Sequence, residues 1–215
     1  MAKLNFRQQV LRAREDAILA SVNHLLAEKG FDLMTVDAVA ADVGIAKASL
    51  YKHFASKEEL AGAAMVRMLE RALAFIQGLD AGPSLSAIEK LRSVARWTMQ
   101  VQLAGEMPSL PSQNSTLRQS LLSNRDYMAR LIELSDKLGE WITASQRSGE
   151  LNPSLPPEVA LFTLFARACD PVLALMKEGG QYSDERIVEM LLATCFEGLS
   201  GRRPLQPAAT EAANE

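Results

Sequence analysis

Apolar residues recur along the chain at spacings of three and four, and no stretch alternates at period two for long, so the pattern predicts helices almost throughout. Ile18, Val22, Leu25 and Leu26 share one face of a first helix predicted over about Arg12 to Lys29, with Gly30 as its stop. Thr35 is placed to cap a short second helix with Asp37 in its first turn, and Gly44 supplies the left-handed backbone of a tight turn after it. A third short helix is predicted from about Ala46 to His53. Ser56 and Glu59 then make the S-x-x-E of a capping box, which opens a long fourth helix toward Leu79.

Asp80-Ala-Gly-Pro83 interrupts the pattern, and a fifth helix follows from about Ser84 to Leu103. Pro108 and Pro111 bracket a loop, patterning resumes near Gln113, and Asn124 to Arg147 reads as one long helix stopped near Gly149. Pro156 and Pro157 open the next helix, where the first turn tolerates proline. Inside it Pro171 removes an N–H and clashes with the carbonyl of Arg167, so a kink is expected there, whether to shape a cavity or as a bend around the core. Arg167 and Asp170 beside it are expected to face solvent. Gly179-Gly180 ends this helix, and Asp184 is expected to cap a last one that runs to about Leu199.

Composition adds exclusions. The 215 residues are 48% hydrophobic and 23% charged, as in an ordinary globular chain of one or two domains. No run of about 18 apolar residues and no leader-like apolar segment is read, so no membrane partner and a cytoplasmic location are expected. Cys169 and Cys195 lie far apart, and His24 and His53 are the two histidines, so no metal site is expected. Buried, inert thiols are the reading taken over a redox switch. With no phosphate loop and no nucleophile–base pair, neither an enzyme nor a cofactor is indicated.

The net charge of −3 opposes indiscriminate nucleic-acid binding, yet its distribution points the other way. Residues 1–14 carry Lys3, Arg7, Arg12 and Arg14 without an acid, and residues 46–57 carry Lys47, Lys52, His53 and Lys57 without one. The second patch falls on two short helices joined by a glycine turn, the layout of a helix-turn-helix. Val36, Val39, Ala40, Val43, Ile45, Leu50 and Phe54 can build its small core with Ile18, Leu25 and Phe31. That leaves Lys47, Ala48, Ser49, Tyr51, Lys52 and His53 as an exposed face suited to a major groove. Lys57 and the free N–H groups opening the fourth helix offer a phosphate site. Any small helical hairpin with a glycine turn shares much of this pattern. The basic arm reads either as a segment reaching a minor groove or as a solvated terminus.

The run from Thr35 to Leu60, TVDAVAADVGIAKASLYKHFASKEEL, resembles the N-terminal domain of the TetR/AcrR family of regulators through T-x-x-x-V-A, the G-I turn, L-Y-x-H-F and S-K-E-E-L. Gly30-Phe31 fits too; the motif-level resemblance covers about residues 12–60, and the rest agrees only in length and helical pattern. The resemblance implies an all-α fold: a three-helix, homeodomain-like helix-turn-helix domain in 1–59, a helical ligand-binding and dimerisation domain in 60–201, and a disordered tail in 202–215. It also implies that Thr35 and Lys57 hold phosphates of a double-stranded DNA operator while Lys47, Ala48, Ser49, Tyr51 and His53 lie on the recognition helix. Many members have Ser-Lys-Gly-Thr where this chain has Ala46-Lys47-Ala48-Ser49, a departure expected to change which bases are read.

Two further implications concern the second domain. Val159, Phe162, Ala166, Cys169, Leu173 and Met176 form one apolar stripe, and Ile187, Leu191, Thr194 and Leu199 another. The resemblance pairs these helices with their symmetry mates in a homodimer. Trp97, Gln100, Met107, Tyr127, Met128, Trp141, Phe162 and Phe165 are the candidate contacts of a small apolar or aromatic effector, although each residue type also suits a plain core. The function implied is that of a repressor released when effector binding tilts the fourth helix and shifts the two recognition helices off half-sites about 34–36 Å apart. The alternative reading replaces the small molecule with a protein partner.

Overall fold

The helical spacing is realised as ten α-helices and one 3-10 turn among the described residues, which are 5–82, 84–109 and 115–198 of this computed structural model, without the side chains of residues 7 and 8. Lys3, Pro111, Gln113, Leu199 and the expected tail lie outside the described residues, as does the Arg7 side chain.

Helix α1 (Phe6–Leu33) starts well before the expected Arg12, so Arg12 and Arg14 of the basic arm stand on a helix. Gly30 breaks it at φ 72°, a left-handed value that disfavours any residue with a Cβ, and the turn after it carries Phe31 into the core. Helix α2 (Val36–Val43) is capped by Thr35, whose Oγ1 accepts from the Ala38 N–H at 3.0 Å. It ends at Gly44 (φ 72°, ψ 34°), with the Ile45 N–H donating back to Ala40 O at 2.9 Å. Helix α3 (Lys47–Leu50) is shorter than expected, with residues 51–53 forming turns; Ala46 at its N-cap makes no side-chain bond.

Helix α4 (Lys57–Ala81) links two cores. Leu60, Ala61, Ala64 and Met65 join Ile18, Val22, Leu26, Val39, Leu50 and Phe54, together with Leu117 and Leu121 of α6 (Thr116–Ser123). Leu73 and Ile76 join a second cluster with Leu91 and Met99 of α5 (Ala87–Leu103) and Leu138 and Ile142 of α7 (Arg125–Arg147). A side chain as fully buried as Leu50 contributes about 1.5–3 kcal/mol by its burial.

The first core and the body are tied by polar contacts. Arg67 Nη2 meets Asp16 Oδ1 at 2.7 Å and the Ser109 hydroxyl donates to Leu26 O at 2.9 Å, while within the body Arg71 Nη2 meets Glu106 Oε2 at 2.7 Å. The Thr116 hydroxyl donates to Glu58 Oε1 at 2.8 Å. That bond, helped by Glu58's own backbone N–H, holds its carboxyl below the ordinary carboxylate pKa. A lowered folded-state pKa means the contribution is complete above the ordinary value and is lost as pH falls through the lowered one. The thermal midpoint of Glu58→Gln should therefore lie below wild type at neutral pH, with the gap closing in acid; a gap independent of pH would refute the assignment.

The C-terminal helices depart most from expectation. The kinked helix is two helices, α8 (Pro157–Ala166) and α9 (Pro171–Glu178), separated by a 3-10 turn over Arg167–Cys169. Proline pushes the residue before it out of the helical region, and Asp170 accordingly sits at φ −74°, ψ 111°. Its side chain caps α9, with Oδ1 accepting from the Val172 N–H at 3.0 Å. Contrary to the solvent-facing expectation, Asp170 is 3% exposed, with Oδ2 2.6 Å from Arg167 Nη1. Gln102 of α5 grips the same residue twice, donating from Nε2 to its carbonyl (3.0 Å) and accepting its N–H on Oε1 (3.3 Å). The last helix, α10 (Asp184–Glu197), is capped by Ser183 rather than Asp184.

Pro157–Glu178 is also apolar enough, by length and composition alone, to cross a membrane (mean hydropathy 1.7), against the expectation of no such run. The break at Asp170 would set an ion pair in hydrocarbon, which disfavours that use.

Candidate nucleic-acid interface

Burial of Leu50 and Phe54 against α1 and α4 fixes which side of the α3 region faces out. Thr35, Lys47, Ala48, Tyr51 and Lys52 are exposed, while Ser49, His53 and Lys57 are half-buried. The eight residues thus share one end of the first core, but they are not equally available. The Thr35 hydroxyl accepts its capping bond and keeps its own proton to donate. Ala48 offers only a methyl, which lets the backbone approach a groove floor closely.

Lys47 is engaged: its Nζ lies 2.8 Å from Asp37 Oδ2, and that hydrogen bond raises its pKa. Asp37 thus orients the ammonium and neutralises it until a phosphate competes. Asp37→Asn should release the lysine, strengthening non-specific duplex binding several-fold and steepening the log–log salt dependence by about one. An unchanged salt slope would show that Lys47 does not meet a phosphate.

Lys57 is turned inward, its Nζ donating to Asp32 O at 3.3 Å and standing 4.3 Å from the Phe31 ring centroid. The N–H groups expected to be free near it are partly used: Glu59 N–H donates to Ser56 Oγ at 3.0 Å, and Ala55 N–H, rather than that of Ser56, donates to the Glu59 carboxylate at 2.6 Å. Glu58 and Glu59 in this turn also oppose a phosphate. The outer face therefore rests chiefly on Thr35, Ala48, Tyr51 and Lys52.

The eight candidate effector contacts do not converge on one cavity. Trp97 stacks on Phe75 at 5.2 Å, and Phe165 packs against the second core. Trp141 is buried in that core, with Lys90 Nζ 5.2 Å from its ring centroid. Tyr127 packs on the first core instead, and burial raises its hydroxyl pKa. Met107 and Met128 are half-buried, Gln100 is exposed, and Phe162 is 66% exposed on the outside of α8. None of the eight lines the clefts of about 390, 550 and 490 Å³ that flank α1. Of the two apolar stripes, Ile187 and Leu191 are spent on the chain's own core, whereas Val159 and Phe162 are exposed.

Residues 18–64 match the family model of the bacterial regulatory proteins, tetR family. An uncharacterized HTH-type transcriptional regulator from Mycobacterium tuberculosis is 47% identical over 53 residues, which are 25% of this chain and 26% of that protein. The chain therefore spans about a quarter of the length of the curated relatives it matches. Solved structures extend the likeness of fold. The fatty acid degradation regulator FadR from Bacillus halodurans is 18% identical with a TM-score of 0.66, over 94% of this chain and 100% of that one. The transcriptional regulator FadR from Bacillus subtilis, in complex with stearoyl-CoA, is 19% identical with a TM-score of 0.62, over 86% and 99%.

Proposed function

We propose that the chain, whose residues 18–64 match the family model of the bacterial regulatory proteins, tetR family, is a sequence-specific DNA-binding repressor of that family, released from its operator by an apolar effector. The observation that carries this reading is the exposed face of Ala48, Tyr51 and Lys52, set on a short helix whose other side is locked by Leu50 and Phe54. Residues 1–59 are the DNA-binding head and residues 60–201 the regulatory body, acting in the cytoplasm where the operator is. Double-stranded DNA is the partner of the head.

The body pairs with a second copy. Phe162 and Leu175 are each 66% exposed, with Val159 and Val172 also open, on helices that spend little of their apolar surface on their own chain. A dimer covers that surface and spaces two heads for two half-sites. Phe162→Glu should give monomers in sedimentation analysis and weaken operator binding by an order of magnitude or more, because each head then binds alone. A dimer as tight as wild type would place the interface elsewhere.

For the effector, the stearoyl-CoA held by a structure of the same architecture makes fatty acyl-CoA thioesters the first class to try, with aromatic compounds second. The test is to select genomic fragments with the purified protein and then to add these compounds. A discrete site, released by one class, is the expected result; fragments retained without sequence preference would refute the proposal.

A further inference from the structure

Helix α1 has two faces. Ile18, Val22, Leu25 and Leu26 enter the first core, while Phe6, Val10, Ala13, Ala17, Ala20 and His24 run along the opposite side and are all exposed. Their spacings of four, three, four, three and four set them in one stripe, the pattern by which two helices pack as knobs into holes. Phe6 is 80% exposed and Val10 51%, and nothing in the chain covers them. Further along, the stripe walls an open groove of about 490 Å³, lined by Ala17, Ala20, Ser21, His24, Asp42 and Val43. One end of the face is bulky and the other is hollow.

Charge divides the same way. Residues 1–14 hold four basic groups and no acid. Residues 15–28 hold Glu15, Asp16 and Glu28 with no lysine or arginine, and Asp42 adds a carboxylate at the groove. Basic groups at the start of a helix oppose its dipole, and α1 has no acid in its first turn, so the helix gains nothing from this order by itself. A second α1 running the other way satisfies both features. Phe6 then lies against the partner's His24, Val10 against the partner's Ala20 and Ala13 against the partner's Ala17, so large side chains meet small ones and the basic half meets the acidic half. Helical side chains lean toward the N-terminus, which carries the Arg14 guanidinium over the preceding turn and opposite the partner's Asp42. Neither Arg14 nor Asp42 has an ionic partner within the chain among the described residues.

We propose that α1 pairs antiparallel with α1 of a second copy, and that this contact joins one dimer to the next. Paired helices lie about 8–10 Å apart, which puts two heads in contact, whereas the recognition helices of one dimer stand about 34–36 Å apart on successive half-sites. Two single helices bury less than the roughly 1,200 Å² of a stable interface, so the contact is weak in solution and acts where dimers are already close, as on neighbouring operators. That consequence on DNA rests on the DNA-binding reading; the self-association does not.

Sedimentation equilibrium of the full chain without DNA tests the contact. Wild type should associate beyond the dimer with a Kd between about 1 μM and 1 mM. Val10→Glu should abolish this step and leave the thermal midpoint within about 2 °C, since the residue is exposed and its loss opens no cavity. Arg14→Glu should weaken the step about tenfold, and Arg14→Glu combined with Asp42→Arg should recover most of the loss, because the exchanged charges meet across the contact. An association state identical in wild type and Val10→Glu, or a double variant no tighter than Arg14→Glu alone, overturns the proposal. So does an Arg14→Glu variant that sediments as wild type but binds every duplex more weakly, since the arginine then holds a phosphate instead. Failure of the earlier readings has other signatures. If the bodies do not pair, the same step joins monomers, is lost in Val10→Glu and persists in Phe162→Glu; if no operator is found, the step persists in free solution.

Discussion

Replacing Asp170 with alanine should lower the stability of the folded chain by about 3–5 kcal/mol, the usual cost of stripping one partner from a buried ion pair. The thermal midpoint should fall on the order of 10 °C for a chain of this size. Two losses coincide at this residue. The cap on α9 goes, Arg167 loses the carboxylate oxygen 2.6 Å from Nη1, and the guanidinium, whose Nε already lacks a partner, is left in a site only 21% exposed. Gln102 still reads the backbone at both atoms, so the break between α8 and α9 should persist and secondary structure should be retained. Asp170→Asn keeps a capping oxygen and loses the charge, and should fall between alanine and wild type. Chemical denaturation reads the order; an alanine variant within about 1 kcal/mol of wild type would show that the pair contributes little.

Tyr51→Ala combined with Lys52→Ala should weaken operator binding on the order of 10²-fold or more while stability and dimerisation stay as they were. Both residues are exposed, so their truncation opens no cavity, and neither belongs to the cluster that buries Leu50 and Phe54. A base-edge contact is worth about 1–3 kcal/mol in each half-site, and a symmetric dimer loses it twice. Taken singly, Tyr51→Ala should relax the sequence preference, whereas Lys52→Ala should weaken all duplexes alike and flatten the salt dependence. Lys57→Ala is a poorer probe of DNA contact, because its ammonium also ties Asp32 and Phe31 into the head.

What could be read from the sequence follows the range of the forces involved. Thr35, Gly44 and Ser56 were legible as caps and turns because each acts on backbone within a few residues of itself. Asn124–Arg147 was legible almost to the residue, since a long amphipathic period leaves little freedom. Asp170 was not: its burial depends on Gln102, far away in sequence on α5, and a charged residue beside a proline reads by default as solvated. The effector candidates rest on residue type. Type favours burial without fixing where, and Trp141, Tyr127 and Phe162 fall in the second core, the first core and the outer surface respectively.

The face around Tyr51 as a reader of DNA sequence is the centre of this account, and anisotropy titrations on a selected operator and on a scrambled duplex of equal length test it most directly. At about 0.15 M salt, wild type should prefer the operator by roughly 10³-fold or more. Tyr51→Ala should lose most of that preference and keep the weaker affinity for the scrambled duplex. Equal affinity of the wild type for both duplexes, or full preference in the variant, would contradict it.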